Sequence, residues 1–411
     1  MPSSSAPEIR SHPLRDVRLS GWKENIAGRW HYNDLAADPQ WVHGWISFDA
    51  VTFNPGDGNV YCGLNSIDGD LLYRFDPRTE IFTGLETKRW TDAYDSKIHR
   101  TLLLNPRDNC FYFATSLLHD ADKQHEAPGG KLVRYDWKAD RYDVLGIPFP
   151  HLYVQSIAAD WARGILYGFT YPAEFIVRHD LATGQSRVLA YVGNAILFAQ
   201  PHNAVVDRNG WLWSTYAETR AWDEVTGTCP IRLCKYHPDE DRFVWYPHGL
   251  ARKADTDQLR PDPVADGADM PDMSESRHKQ DYGFCDGMVY DGGRTIYAGS
   301  VAGVLSRIDI ETGEVAKVAN VMRSGRFPAM AFGPDGKLYG GGGMKGQTTL
   351  CRFDPATLEL EVWDNLADAN GERPARIHEL CVADDGTIYL GENDHHTRSS
   401  YLWSATWKQA V

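Results

Sequence analysis

Long apolar runs are missing from this chain. Nowhere in its 411 residues do the roughly 20 consecutive apolar side chains of a membrane-spanning helix occur. The opening stretch, MPSSSAPEIRSHPLRD, has no apolar core of a secretory signal, which sets the expectation of a cytoplasmic protein. Basic residues are scarce: 42 Lys and Arg stand against 56 Asp and Glu, a net charge of −14 with a pI near 5.5. Nucleic acid and anionic membrane bind through basic surface, so neither is expected as a partner. A small anionic ligand stays compatible, because a local basic pocket suffices to hold it. Zinc-type cysteine spacing is also absent. The Cys number seven, mostly in apolar runs such as VYCGL and LCVAD, and Cys229 with Cys234 lacks a second pair. Small buried thiols in a reducing compartment are the expectation. No Gly-x-Ser-x-Gly, Walker or dinucleotide loop occurs, and GGGGMKG at 340–346 lacks the Ser or Thr of a phosphate loop.

Aromatics and turn formers are plentiful: 14 Trp, 20 Tyr, 37 Gly and 22 Pro. They lean toward β structure with tight turns, and they recur in order. A turn rich in Asp or Asn, then a strand ending in an aromatic, repeats as NPGDGNVYCG, NPRDNCFYFA, DWARGILYGF, DRNGWLWST, DGGRTIYAG, GPDGKLYGG and ADDGTIYLG. The aromatics are Tyr61, Tyr112, Tyr167, Trp213, Tyr297, Tyr339 and Tyr389. A third strand carries Arg-x-Asp at Arg74, Arg134, Arg178, Arg307 and Arg352, with Lys235-Tyr-His237 as a degenerate copy. Length alone suggests two or three domains. Seven repeats instead predict one all-β domain over 1–411, a seven-bladed β-propeller. A strand from within residues 15–45 of the N-terminal segment 1–45 is expected to close the ring. The polar, Pro-rich stretch 251–283 is expected to be a long inter-blade loop.

In a propeller the first strands of the blades line a shared channel. Aligned on the aromatics, their starts carry Asp49, His99-Arg100, Gln155, His202, Asp286, Pro328 and His378. A second ring, at the ends of the second strands, carries Asn65, His119, Tyr171, Tyr216 and Glu392, followed by His395 and His396. Converging polar groups are costly to bury unless paired or functional. His, Tyr and Arg without a nucleophile motif suggest proton transfer. β-Elimination beside a sugar carboxylate fits: an Arg neutralises the carboxylate, a His or Tyr removes the adjacent proton, and a second group protonates the leaving oxygen. Arg100 and Arg220 are candidates for the charge. Trp41, Trp45, Tyr171, Tyr216 and Trp222 are candidate sugar-facing aromatics. A divalent ion (zinc, manganese or calcium) is a further expectation, on His202, Asp286 and His378.

Lys97-Ile98-His99-Arg100 on the first strand of blade 2, with His119 after its second strand, resembles the propeller polysaccharide lyases, the ulvan and rhamnose–glucuronate lyases. The resemblance implies His99, His119 and Tyr171 as catalytic residues, with an arginine on the carboxylate. Ring position, charge and aromatic character separately make Arg100, Arg220, Asp49, Gln155, Tyr216, Trp222 and Glu392 candidate contacts to a small oligosaccharide. That family has Asp two residues before the first histidine, where this chain has Lys97. The alternatives are a propeller glycoside hydrolase or epimerase-like enzyme, using Asp49, Asp286 or Glu392, and a non-catalytic carbohydrate-binding propeller.

Overall fold

Each blade has four antiparallel strands, extended in blade 1 by the short strand Asp95–Lys97 beside Asn59–Ser66, and turn aspartates help explain why. In blade 1, Asp57 accepts the backbone N–H of Asn59 with one oxygen and the Tyr61 hydroxyl, at 2.9 Å, with the other. Asp108 does the same for Cys110 and Tyr112, Asp335 for Lys337 and Tyr339, and Asp207 for Asn209 and the Trp213 indole. One side chain thus folds the hairpin and pins the aromatic of the next strand. The Arg-x-Asp aspartates have a parallel task. Asp76, Asp136, Asp180, Asp309 and Asp354 each accept a backbone N–H from the turn that follows.

The computed structural model describes residues 6–19, 32–117, 123, 125–194, 204–217, 231–261, 285–323, 325–395 and 397–407. Blade 1 comprises Ile46–Asn54, Asn59–Ser66, Leu72–Asp76 and Ile81–Gly84; blade 2 comprises Leu103–Asn105, Cys110–Ala114, Leu132–Asp136 and Arg141–Gly146. Blade 3 is Tyr153–Asp160, Ile165–Tyr171, Ala173–Asp180 and Ser186–Asn194; blade 4 is Val205–Val206, Leu212–Ala217, Ile231–His237 and Arg242–Trp245. Blade 5 is Cys285–Tyr290, Thr295–Ser300, Val304–Asp309 and Val315–Asn320; blade 6 is Ala329–Phe332, Leu338–Met344, Gln347–Phe353 and Leu360–Asp364. Blade 7 takes Ile377–Val382, Ile388–Glu392 and Leu402–Thr406, and its outer strand is Glu8–His12. The fold is a seven-bladed β-propeller closed by an N-terminal strand. That strand lies ahead of the stretch 15–45 expected for it, because 32–44 carries the short helices Tyr32–Ala37 and Pro39–Gly44 instead. Trp41 and Trp45, candidate sugar platforms by sequence, are buried beside Leu19 in an apolar cluster.

The blades fall into two compact units: blades 1, 6 and 7 in one, blades 2 to 5 in the other. Within each, apolar side chains fill the space between neighbouring sheets. Blades 1 and 7 share Phe48, Val60, Leu64, Phe75, Tyr389 and Leu402, and blades 4 and 5 share Trp213, Leu233, Met288, Ile296 and Ile308. Glycines let sheets approach. A Cβ on Gly391 of blade 7 would stand 2.6 Å from the Phe48 carbonyl oxygen of blade 1. A Cβ on Gly299 of blade 5 would overlap the Phe327 carbonyl before blade 6. Both glycines lie two residues after a repeat aromatic, which accounts for the Tyr-x-Gly pattern of the sequence.

The described part of the 251–283 stretch runs along the fourth strand of blade 5. Buried Lys317 donates to the carbonyls of Lys253 and Asp255, at 2.8 Å each. Six cysteines are buried free thiols; Cys229 lies outside the described residues. No described helix is long and apolar enough to cross a membrane.

Candidate functional site

Four of the aligned strand-start residues share one backbone feature. Asp49, Gln155, Asp286 and His378 each fall at a break in the pairing of first and second strands. The pairing passes from Phe48↔Leu64 to Ala50↔Gly63, and from Val154↔Thr170 to Ser156↔Phe169. It passes likewise from Cys285↔Ser300 to Gly287↔Gly299, and from Ile377↔Glu392 to Glu379↔Gly391. Each is the extra residue of a β-bulge, a device that re-aims a side chain out of the alternating pattern. Two further contributions come from arginines in left-handed backbone, Arg100 at φ 36° and Arg326 at φ 50°.

In the unit of blades 2 to 5, Asp286 is fully buried and clamped by two arginines. Arg326 donates Nε at 2.9 Å and Nη2 at 2.7 Å to its two oxygens. Arg100, its side chain wholly buried, lies with Nη1 3.6 Å from the carboxylate and bonds the Asp286 carbonyl. Two guanidinium groups thus meet one carboxylate here. One residue before Arg100, His99 sets Nδ1 2.7 Å from the carbonyl oxygen of Gln155. A carbonyl only accepts, so Nδ1 carries the proton and Nε2 the basic lone pair. Ser116 Oγ donates to the Val154 carbonyl at 2.9 Å, tying blade 2 to the same strand of blade 3. On that blade Tyr171 pairs with Tyr153 across the strands, ring centroids 5.1 Å apart. Burial, then the nearby Glu174 charge, pushes the Tyr171 phenol above its ordinary value, so it stays protonated.

In the unit of blades 1, 6 and 7, Asp49 is the buried anion. Lys97 Nζ lies 2.9 Å from its Oδ2, and the Asn393 amide donates to Oδ1. Burial raises the Asp49 pKa, and the Lys97 charge only partly offsets it. His378 repeats the geometry of His99: its Nδ1 donates to the backbone carbonyl of Asp49, at 3.2 Å.

Glu392, expected among the sugar contacts, is fully buried and bonded by other groups of the chain. Both its oxygens are engaged from within, by Arg398 Nη1 at 2.9 Å, the Ala375 and Tyr401 amides at 2.7 Å each, and the Trp403 indole at 3.2 Å. Tyr216 is half-buried and donates to the Tyr246 carbonyl at 3.2 Å, and Asn65 is buried in blade 1. Pro328 has no side-chain hydrogen-bonding group; Arg326, two residues earlier, meets Asp286. His119, His202, Arg220, Trp222 and His396 lie outside the described residues. The metal expectation therefore reduces to Asp286, occupied by arginines, and His378, bonded to a carbonyl. Among the described residues no group of three or more His, Cys, Asp or Glu is arranged to hold a metal ion.

Sequence reasoning named Lys97 only as a departure from the lyase pattern, and it missed Arg326, Arg376 and Asn393. A signal existed for the first three. A basic residue stands two positions before the aligned residue in Lys97-Ile98-His99, Arg326-Phe327-Pro328 and Arg376-Ile377-His378. Each of the three cations pairs with a carboxylate: Asp49, Asp286 and Asp394.

No protein-family model matches the chain, and no curated protein matches it. Among solved structures it is similar to streptogramin B lyase, at 12% identity and TM-score 0.60, covering 99% of this chain and 100% of that one. Virginiamycin B lyase from Staphylococcus aureus matches at 12% identity and TM-score 0.55, covering 97% and 99%. The extracellular domain of BT4673 from B. thetaiotaomicron matches at 14% identity and TM-score 0.54, over 89% of this chain; the chain spans only 39% of that one's length. At such identities the likeness is one of fold. The class is the seven-bladed β-propeller, and its members similar to this chain include lyases and an extracellular domain of another kind.

Proposed function

We propose that this propeller is a lyase that cleaves a short uronic-acid-containing glycoside by β-elimination. The observation that carries the reading is the adjacency of His99 and Arg100. One bond, Nδ1–H to the Gln155 carbonyl, holds the imidazole as a base at Nε2. The next residue anchors a guanidinium beside Asp286, with Arg326 on the other side. A pair of guanidinium groups suits a substrate carboxylate, whose neutralisation acidifies the neighbouring C–H. In the proposed step, His99 Nε2 takes the C5 proton and the C5–H electrons form the C4=C5 double bond. The C4–O bond breaks, and the leaving oxygen takes a proton from the neutral Tyr171 phenol. His119 is proposed as a second histidine of the site on the polysaccharide-lyase resemblance alone. Two lyases of the same fold support the reaction class, and both are lyases of antibiotics.

The internal pairing of Asp49, Asp286 and Glu392 counts against the glycoside hydrolase or epimerase-like alternative, which needs available carboxylates. The same self-sufficiency of the buried pairs favours, as second reading, a carbohydrate-binding propeller without catalysis. The test is ultraviolet absorbance of unsaturated product on a panel of oligouronides. The lyase reading expects a rise with the native chain and at least ~100-fold less with His99→Ala. Binding with no new double bond from any substrate would overturn it in favour of the second reading.

A further inference from the structure

Blades 6 and 7 enclose a cavity of about 640 Å³ that the proposed chemistry does not use. Its walls include Lys345, Arg373, Arg376, His395, Glu372 and Asp394. The GGGGMKG run supplies one side. Met344 pairs with Gln347 across a two-residue hairpin whose central residues, Lys345 at φ 53° and Gly346 at φ 77°, are both left-handed. The Gly346 N–H donates to the Ala375 carbonyl at 2.9 Å, which fixes the hairpin against the segment bearing Arg373 and Arg376.

The charge of this wall is decided by what its acids already hold. Glu372 accepts from Arg18 at 2.7 Å and from Arg398 at 3.3 Å. Those hydrogen bonds keep its carboxyl below the usual range. Asp394 is held by Arg376 at 3.3 Å and by the Ser47 hydroxyl at 3.1 Å. Both acids are therefore neutralised from within. Lys345 and Arg373 make no ion pair with any described residue and remain exposed at the cavity. A concave surface with two uncompensated cations stands out on a chain of net charge −14. Its volume lies within the range of small-molecule sites.

We infer that this cavity binds a small ligand, of monosaccharide to disaccharide size, through an anionic oxygen group held by Lys345 and Arg373. A carboxylate or a phosphate would meet that chemistry. Arg373 offers a two-pronged donor suited to either, and Lys345 a mobile point charge. The site is independent of His99 and of the elimination reading.

Isothermal titration of the full chain with glucuronate, inorganic phosphate and glucose tests it. Glucuronate, phosphate or both should bind, weaken as salt is raised, and leave glucose unbound. Which of the two binds identifies the anionic group. Lys345→Gln with Arg373→Gln should weaken binding at least ~10-fold with unchanged thermal unfolding, since both side chains are exposed. Failure of both anions to bind, or equal binding to the double variant, would overturn the assignment. If the double variant unfolds early, Lys345→Gln alone must still weaken binding for the assignment to stand.

Discussion

Arg326 lays its guanidinium across both carboxylate oxygens of Asp286, at 2.9 and 2.7 Å, from 40 residues further along the chain. Asp286 is fully buried, and so is the Arg100 side chain on its other side. Removing the shared anion leaves buried positive charge uncompensated. Asp286→Ala should therefore destabilise the fold by about 3–5 kcal/mol, the usual cost of breaking a buried pair from one side. Urea denaturation followed by tryptophan fluorescence measures it. A loss below about 1 kcal/mol would mean that the arginines find water or another acceptor.

His99 should behave as a base rather than a packing residue. His99→Ala and His99→Gln are expected to lower the elimination rate at least ~100-fold while far-ultraviolet circular dichroism stays native. Rates within a few-fold of the native chain in both variants would remove His99 from the chemistry.

Tyr171 is proposed as the proton donor to the leaving oxygen. Its phenol pKa is raised by burial and by Glu174, so the donor form persists beyond the ordinary value of 10.0. The sign follows: activity should show no alkaline fall from Tyr171 up to pH 10. Tyr171→Phe should cut kcat ~10- to 100-fold with a smaller change in KM. A native-like kcat for Tyr171→Phe would assign the donor elsewhere.

His12 makes the closure of blade 7 sensitive to acid. It is buried on the closing strand, with Nε2 2.9 Å from the Ser404 hydroxyl. Burial lowers its pKa from 6.5 against the opposing pull of Glu80. Between that lowered value and 6.5 the unfolded chain binds more protons, so stability falls as pH drops below 6.5. Replacing His12 with Gln should flatten this part of the stability profile. Urea midpoints between pH 7.5 and 5 for both chains decide it; parallel profiles would clear His12 of any part.

Gly299 stands where blade 5 meets the Phe327 backbone, and an added methyl would overlap that carbonyl. Gly299→Ala should cost about 1–3 kcal/mol through overpacking. Gly58, which has nothing within 4 Å of an added Cβ but sits at φ 72°, provides the contrast. Its alanine variant tests turn strain alone, and thermal unfolding of the two separates packing from conformation.

Much of this molecule was legible in its residues. Turn aspartates, strand-end aromatics and Arg-x-Asp triplets recur because each blade solves the same local problem: folding a hairpin and anchoring its next strand. Those interactions span a few residues, so the pattern determined the seven blades, the propeller and the positions of Asp49, Gln155, Asp286 and His378. Tertiary structure decided what these residues do. Whether a carboxylate is available or spent depends on partners such as Lys97, 48 positions from Asp49, or Arg326, 40 from Asp286. Linear spacing carries no record of such contacts. The sequence alone therefore placed Glu392 among the sugar contacts, whereas Arg398, Ala375, Tyr401 and Trp403 occupy both its oxygens. The bulges had the last word on aim: one unpaired residue turns a side chain out of its strand's alternation, and only the register of the folded sheet reveals it.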